Sequence, residues 1–249
     1  MGLPCAETEL AKFQGTAGGV SQNFVRESDE MLLHGNELLF MNDPSYPRTA
    51  HYDAAVHTFD RVKRILSFKE LRNPLRWTPP PHAQTPMHTF IGYLVLDAWV
   101  GNTDRHHENW GWIMKVTGDT ASDWTVHLAP TFDHASSLGR ELQDERRDTW
   151  VHELRITTYA AKGRSALYGN ENDPRPLSTI DVVRRAAQSY PKATAGWLNI
   201  VACIQEERVD EIIAAIPDER MTSSAKRFAT QLLSCNAETL SKLSEEMQR

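Results

Sequence analysis

The sequence has 249 residues, of which 40% are hydrophobic and 24% charged, an ordinary composition for a globular protein of one large or two small domains. The net charge of -6 argues against a protein that binds nucleic acid through a basic surface. No signal peptide pattern opens the chain, and the longest apolar run is shorter than the roughly 20 residues of a transmembrane helix. The three scattered cysteines are typical of free thiols, so we expect a cytoplasmic protein without membrane contact.

Residues 6–25 have the pattern of a β-hairpin. Residues 6–13 form the first predicted strand, residues 14–19 a glycine-rich turn, and residues 20–25 the second strand. Glycines also build phosphate-binding loops, but neither GxxxxGK[ST] nor GxGxxG occurs here and no helical pattern follows directly. A tight turn is therefore the favoured interpretation.

Residues 26–70 have mostly helical patterns. Turn residues interrupt them at Asn42-Asp43-Pro44 and at Tyr46-Pro47. From Tyr52 onward, apolar residues recur every three or four positions, as on a helix that faces a core. Residues 75–86 are rich in proline, which predicts an extended connector.

A buried helix is predicted from Thr85 to Gly101. Thr85 is a favoured N-cap, Pro86 suits the first helical position, and Gly101 suits the left-handed C-terminal position. Apolar residues surround most of its circumference, so we expect it to be buried. The polar segment that follows would then emerge from a rigid support, as a catalytic site requires.

Two β-prone runs follow the polar segment, at residues 110–116 and 124–130. The simplest antiparallel hairpin pairs Val116 with Trp124, which places Asn109 opposite Thr131 and close to Asp133. An amide oxygen and a carboxylate that converge in this way suit Mg²⁺, which prefers oxygen ligands. We therefore predict that Asn109 and Asp133 bind Mg²⁺.

Asp104 is the candidate catalytic base. In a loop closed by a metal, it can accept the proton of an attacking hydroxyl while Asn109 holds the metal. His106 or Arg105 can supply positive charge toward a phosphoryl group in transfer. The alternative is that Asp104 and Asn109 are only a capping and turn pair.

Residues 101–109, with the sequence GNTDRHHEN, resemble the catalytic loop of HipA-like kinases and also that of phosphatidylinositol 3- and 4-kinases. Residues 128–133 (LAPTFD) resemble the metal-binding segment of the HipA-like C-terminal domain, and residues 137–142 continue the likeness. The resemblance is strongest over residues 91–142. It implies an ATP- and Mg²⁺-dependent phosphotransferase in which Asp104 is the base and Asn109 and Asp133 hold the metal.

Residues 21–24 (SQNF) resemble the hinge of these kinases, in which an acidic residue and a phenylalanine stand two positions apart. The resemblance implies that Gln22 and Phe24 border the adenine, although glutamine replaces the acid. These kinases carry an N-terminal lobe before the hinge, with a phosphate-gripping loop and a strand lysine. This sequence begins almost at the hinge, and we interpret Lys12 as a surface residue. We expect residues 1–25 to be a hinge-type remnant of that lobe and residues 26–249 a C-terminal kinase lobe.

Two side-chain groups have alternative interpretations. His106 and His107, with Asp133 and His134, could be zinc ligands, although adjacent histidines usually point apart. The tryptophans of the predicted hairpin favour core packing over base stacking: Trp110, Trp112 and Trp124.

The remaining sequence is predicted to be a helical scaffold. Residues 140–176 read as a helix and a long surface loop, and residues 178–249 as successive helices, broken at Pro191 and Pro217 and joined at Asn236. The predicted fold class is therefore α+β and mostly α, namely a helical kinase C-terminal lobe with small hairpins.

Three hypotheses for function follow. The first is a HipA-like phosphotransferase acting on Ser or Thr hydroxyls, with Asp104 and His106 as catalytic residues; without an N-terminal lobe it would bind ATP poorly and transfer little. The second is an inactive or split kinase lobe that binds a protein, either the missing lobe or an antitoxin-like partner of a toxin-antitoxin pair. The third is a metal-dependent hydrolase that uses Asp104, His106 and Asp133.

Overall fold

The computed structural model describes residues 1–26, 28–49, 55–118, 120 and 123–248. Tyr52 and part of the predicted turn after Val116 lie outside these residues. The strands are β1 (Thr8–Phe13), β2 (Thr16–Ser21), β3 (Glu30–His34), β4 (Leu71–Arg72), β5 (Gly111–Val116) and β6 (Trp124–Leu128). The helices are α1 (Gly35–Asn42), α2 (Phe59–Leu66), α3 (Pro86–Val100), α4 (Asp144–His152), α5 (Ile156–Ala160), α6 (Thr179–Ser189), α7 (Pro191–Ala202), α8 (Glu206–Ala214) and α9 (Ser223–Glu246). The predicted class, α+β and mostly α, is confirmed.

The N-terminal hairpin consists of β1 and β2. Its turn needs only Gln14 and Gly15, which have φ angles of 48° and 83° and match the twist of the flanking strands. The second strand therefore begins at Thr16, opposite Phe13, and not at residue 20 as predicted. Most of the hairpin is exposed to solvent.

A four-stranded sheet has the strand order β3-β5-β6-β4. Strands β5 and β6 are antiparallel and pair Val116 with Trp124, so the predicted register is confirmed. Short β4 adds to β6 in parallel, which the sequence patterns did not indicate.

Strand β3 corrects the prediction that residues 26–70 are mostly helical. Leucine and methionine favour helix, but helix propensity is weak compared with tertiary contacts. Residues Glu30–His34 instead pair with β5, with Leu32 opposite Ile113. The helical prediction holds for α1 and α2 in this region.

Helix α3 is the buried centre of the fold. The Thr85 side chain accepts a hydrogen bond from the His88 N–H, Pro86 is in the first turn, and Gly101 adopts the left-handed conformation with φ of 67°. The predicted start and end of the helix are therefore confirmed. The helix packs against α6, α7 and α9, which form the main hydrophobic core with it.

The C-terminal helices are α6 to α9. Pro191 begins α7, as the sequence indicates, but α9 continues through Asn236 instead of being joined there. Asn236 is buried and its Nδ2 donates to the Trp99 carbonyl, 2.9 Å away, in the last turn of α3. Such terminal carbonyls lack a partner within their own helix, so the asparagine caps a neighbouring helix. Among the described helices, none is both long and apolar enough to cross a membrane.

Candidate active site

The polar loop leaves α3 at Gly101 and is fixed at its first residues. The Asn102 N–H donates to the Asp97 carbonyl at 2.8 Å, and the Asn102 Nδ2 donates to Asp97 Oδ1 at the same distance. Asn102 Oδ1 in turn accepts a hydrogen bond from the Asp104 N–H at 3.1 Å. The position of Asp104 is thus set by a buried asparagine.

Arg105 and Asp97 form a buried ion pair beneath the loop. Arg105 Nε and Nη2 donate to the two Asp97 oxygens, both at 2.7 Å, and the arginine is fully buried. Burial alone would lower the arginine pKa, but the charge of Asp97 and its hydrogen bonds outweigh burial and the pKa is raised. A paired charge at this depth fixes geometry and does not face a substrate.

The same arginine connects the loop to the strand after β6. Its Nη1 donates to the Asn109 carbonyl at 2.7 Å, and its Nη2 also donates to Thr131 Oγ1 at 3.0 Å. The expectation that Arg105 supplies charge to a phosphoryl group is therefore wrong, since its donors are engaged inside the protein. Asp97 is the only acidic residue of the mostly apolar helix α3, and this was the signal for the pair, because a buried carboxylate needs a partner.

Asp104 lies between two polar neighbours. Ser136 Oγ donates to Asp104 Oδ2 at 3.2 Å, and His106 Nε2 lies 3.8 Å from Asp104 Oδ1. The Asn109 Nδ2 donates to the Asp104 carbonyl at 2.7 Å. The Asn109 amide group therefore donates a hydrogen bond within the loop. Its other polar atom, Oδ1, is the one that could bind a cation.

A cleft of about 620 Å³ opens beside this loop, and we call it the loop cleft. Asn109, Asp133 and His106 line it together, so three of the predicted site residues share one space. Asp133 has a positive φ of 53°, which is uncommon outside glycine but tolerated by aspartate. The remaining lining residues are His34, Asn36, Glu37, Arg48, Glu108 and Phe132.

The junction of β3 and α1 clamps the loop from the other side. The N–H groups of Gly35 and Asn36 donate to the carbonyls of Trp110 and His107 at 2.8 and 2.9 Å. His34 Nδ1 lies 2.7 Å from the Glu108 carbonyl oxygen. The sequence patterns missed this clamp because they predicted helix across residues 30–34.

Gly35 should not tolerate a side chain. A Cβ there would lie 2.3 Å from Trp110 Cε2 and 2.5 Å from the His107 carbonyl oxygen. We expect Gly35→Ala to lower the free energy of unfolding by about 1–3 kcal/mol, as overpacking does. Urea denaturation measures this, and Gly18→Ala is the control because nothing lies within 4 Å of its Cβ. Equal urea midpoints for the two variants would contradict the clamp.

Gln22 and Phe24 line a separate cleft of about 420 Å³, which we call the hinge cleft. Ile113 and Pro130 line it as well. Phe24 contacts Phe132 of the loop cleft, with ring centroids 5.4 Å apart, so the two clefts adjoin at this ring pair.

A second ion pair fixes the hinge segment. Arg76 donates to both oxygens of Glu30, at 2.6 and 3.1 Å, and to the Phe24 carbonyl at 3.1 Å. The hydrogen bond from Arg76 is the main reason why the pKa of Glu30 is lowered. Neither residue was predicted to contribute to the site.

The histidines considered as zinc ligands have other contacts. His107 is buried, with its Nδ1 2.8 Å from the Tyr46 hydroxyl, and His134 Nε2 lies 2.7 Å from Thr131 Oγ1. Burial, with the charge of Arg105, lowers the pKa of His134. Within the described part of the chain, no three His, Cys, Asp or Glu residues are grouped to hold a metal. This arrangement does not favour the zinc site or the hydrolase built on it.

Comparisons with known proteins identify the fold. No protein-family model matches the chain, and no curated protein matches it. The structure is similar to the crystal structure of a Helicobacter pylori proinflammatory kinase, CtkA, with a TM-score of 0.73 and 19% sequence identity. The match covers 100% of this chain and 83% of that chain. The chain therefore has a kinase-like fold.

Proposed function

We propose that this protein is a HipA-like, ATP- and Mg²⁺-dependent phosphotransferase that acts on Ser or Thr hydroxyls, with a cytoplasmic location and a protein as its substrate. The observation that carries the proposal is the hydrogen bond from Asn109 Nδ2 to the Asp104 carbonyl, 2.7 Å long. It ties the candidate metal ligand to the candidate base within one loop. The kinase-like fold supports the reaction class, and the resemblance at residues 101–109 supports the HipA-like type.

The donor set of the loop cleft fits a hard cation. Asn109 and Asp133 offer an amide oxygen and a carboxylate, and the open cleft leaves room for water and phosphate oxygens. This is the ligand set that Mg²⁺ takes in phosphoryl-transfer sites. When bound, Mg²⁺ would neutralise the charge that develops on the phosphates.

The proton transfer is assigned to Asp104. Its Oδ2 accepts the Ser136 hydroxyl hydrogen, which holds the carboxylate in one orientation. A carboxylate held in this way is suited to accept the proton of a substrate hydroxyl. His106 lies 3.8 Å from the other carboxylate oxygen and lines the loop cleft, where its imidazole can donate a hydrogen bond to a phosphoryl group in transfer.

The adenine is assigned to the hinge cleft. Phe24 and Ile113 offer apolar surface for a flat base, and Gln22 offers an amide that can donate and accept hydrogen bonds. The contact between Phe24 and Phe132 places the hinge cleft next to the loop cleft. A nucleotide could therefore place its base in one cleft and its phosphates in the other.

Metal binding tests the proposal without requiring turnover. We expect Mn²⁺, followed by electron paramagnetic resonance, to bind weakly without nucleotide and more tightly with ATP, because two protein ligands and the phosphates together hold it. Asp133→Ala should abolish binding and Asn109→Ala should weaken it. Asp218→Ala, at an exposed aspartate, is the matched control. Tight stoichiometric Zn²⁺, or Mn²⁺ binding that survives Asp133→Ala, would contradict the proposal.

Protein binding is the second candidate function, either to an antitoxin-like partner or to a separate N-terminal lobe. It is favoured by the N-terminal hairpin, where Leu10, Phe13 and Val20 are 59%, 76% and 54% exposed. Exposed apolar side chains on a two-stranded ribbon are suited to cover by another protein. Co-purification that requires these three side chains but not Asp104 would favour this candidate.

A further inference from the structure

A cavity away from both clefts lies between α7, α8 and α9. Its volume is about 230 Å³, compared with the roughly 150 Å³ of an apolar cavity that binds benzene. Val201 and Leu233 form buried parts of its wall, and Trp99 at the end of α3 contributes an aromatic surface. We call it the α7–α9 cavity. Its size and apolar walls suit a small ligand with an aromatic body.

The charges of this cavity all have one sign. Glu206 and Asp210 stand one helical turn apart on α8 and are exposed, so they lie at the mouth. Ser234 Oγ donates to Glu206 Oε1 at 3.2 Å, which orients the first carboxylate. No lysine, arginine or histidine is among the described residues that line the cavity. Two carboxylates beside an apolar wall complement a ligand with a cationic head and an apolar body.

We infer that the α7–α9 cavity binds a small amphipathic cation, an aryl-alkyl ammonium of one or two rings. The aromatic body contacts Trp99, Val201 and Leu233, and the ammonium group lies between Glu206 and Asp210. This site is separate from the loop and hinge clefts, so it does not depend on phosphoryl transfer.

Isothermal titration calorimetry of the full chain at low salt tests the inference. The probes are 2-(1-naphthyl)ethylamine and the neutral 2-(1-naphthyl)ethanol, which differ only in the charged group. We expect the amine to bind about fivefold more tightly than the alcohol, a difference of about 1 kcal/mol, since the two exposed carboxylates attract the ammonium group only weakly through solvent. The double variant E206Q, D210N should remove this preference and leave the affinity for the alcohol unchanged.

Three further variants keep the test decisive. E207Q with E211Q changes the same charge on the same helix outside the cavity, and the preference for the amine should remain. Ala237→Leu and Ser234→Leu each fill the cavity and should abolish binding of both probes while thermal melts show a folded protein. Equal affinities for amine and alcohol, no binding of the amine, or unchanged binding to both folded filling variants would each overturn the inference.

Discussion

An Asp104→Asn variant should transfer phosphate about a hundredfold to ten-thousandfold more slowly than the wild-type chain, the range expected when a general base is removed. Asparagine cannot accept the hydroxyl proton, but its backbone carbonyl still accepts the hydrogen bond from Asn109. Mn²⁺ affinity should therefore fall much less than in Asp133→Ala, since only a neighbouring charge is lost and no ligand. The measurement is transfer of radiolabelled phosphate from ATP to protein Ser or Thr, with ADP formation followed in parallel.

The assay must be able to detect slow phosphate transfer. Kinases bind the ATP phosphates with a lysine. Among the described residues, no lysine lines the loop cleft or the hinge cleft. Single-turnover conditions with excess protein are therefore appropriate, and Asp218→Asn is the control. Wild-type rates from Asp104→Asn would exclude this carboxylate as the base.

Asp97→Ala is expected to lower the free energy of unfolding by about 3–5 kcal/mol, because it leaves the Arg105 guanidinium charged and buried without its partner. The Asp97 side chain is 3% exposed and that of Arg105 is 0% exposed, so solvent cannot replace the lost carboxylate. Asn102 would lose a hydrogen bond as well. Urea or thermal denaturation followed by circular dichroism measures the change.

A surface ion pair is the control for this variant. Glu153 and Arg155 are about half exposed and 2.8 Å apart, so Glu153→Ala should change stability by no more than about 1 kcal/mol. If the two variants unfolded at the same urea concentration, the pair beneath the loop would not be the buried support described above. A destabilised but folded Asp97→Ala protein should also bind Mn²⁺ less tightly, since Arg105 holds the Asn109 carbonyl.

Local patterns in the sequence were sufficient for several features that neighbouring residues govern, although they placed the turn of the N-terminal hairpin over too many residues. Thr85, Pro86 and Gly101 marked the ends of α3, because capping and left-handed geometry depend on residues within a few positions. The short connection between β5 and β6 allowed the pairing of Val116 with Trp124 to be predicted. Asp104, Asn109 and Asp133 were recognised in the same way, and their catalytic roles stay predictions.

Contacts between distant segments could not be read from those patterns. Strand β3 has a sequence that suits a helix, and only pairing with β5 makes it a strand. The sequence pattern predicted a junction between two helices at Asn236, but the side chain lies within α9 and donates a hydrogen bond to the Trp99 carbonyl. The sequence suggested that Arg105 supplies positive charge to a substrate, but its guanidinium is buried and paired with Asp97 of α3. In each case the residue is stabilised by a hydrogen bond or ion pair to a segment that is distant in sequence. Such a partner is brought close only by folding, so only the tertiary structure shows whether the residue supports the fold or lines the site.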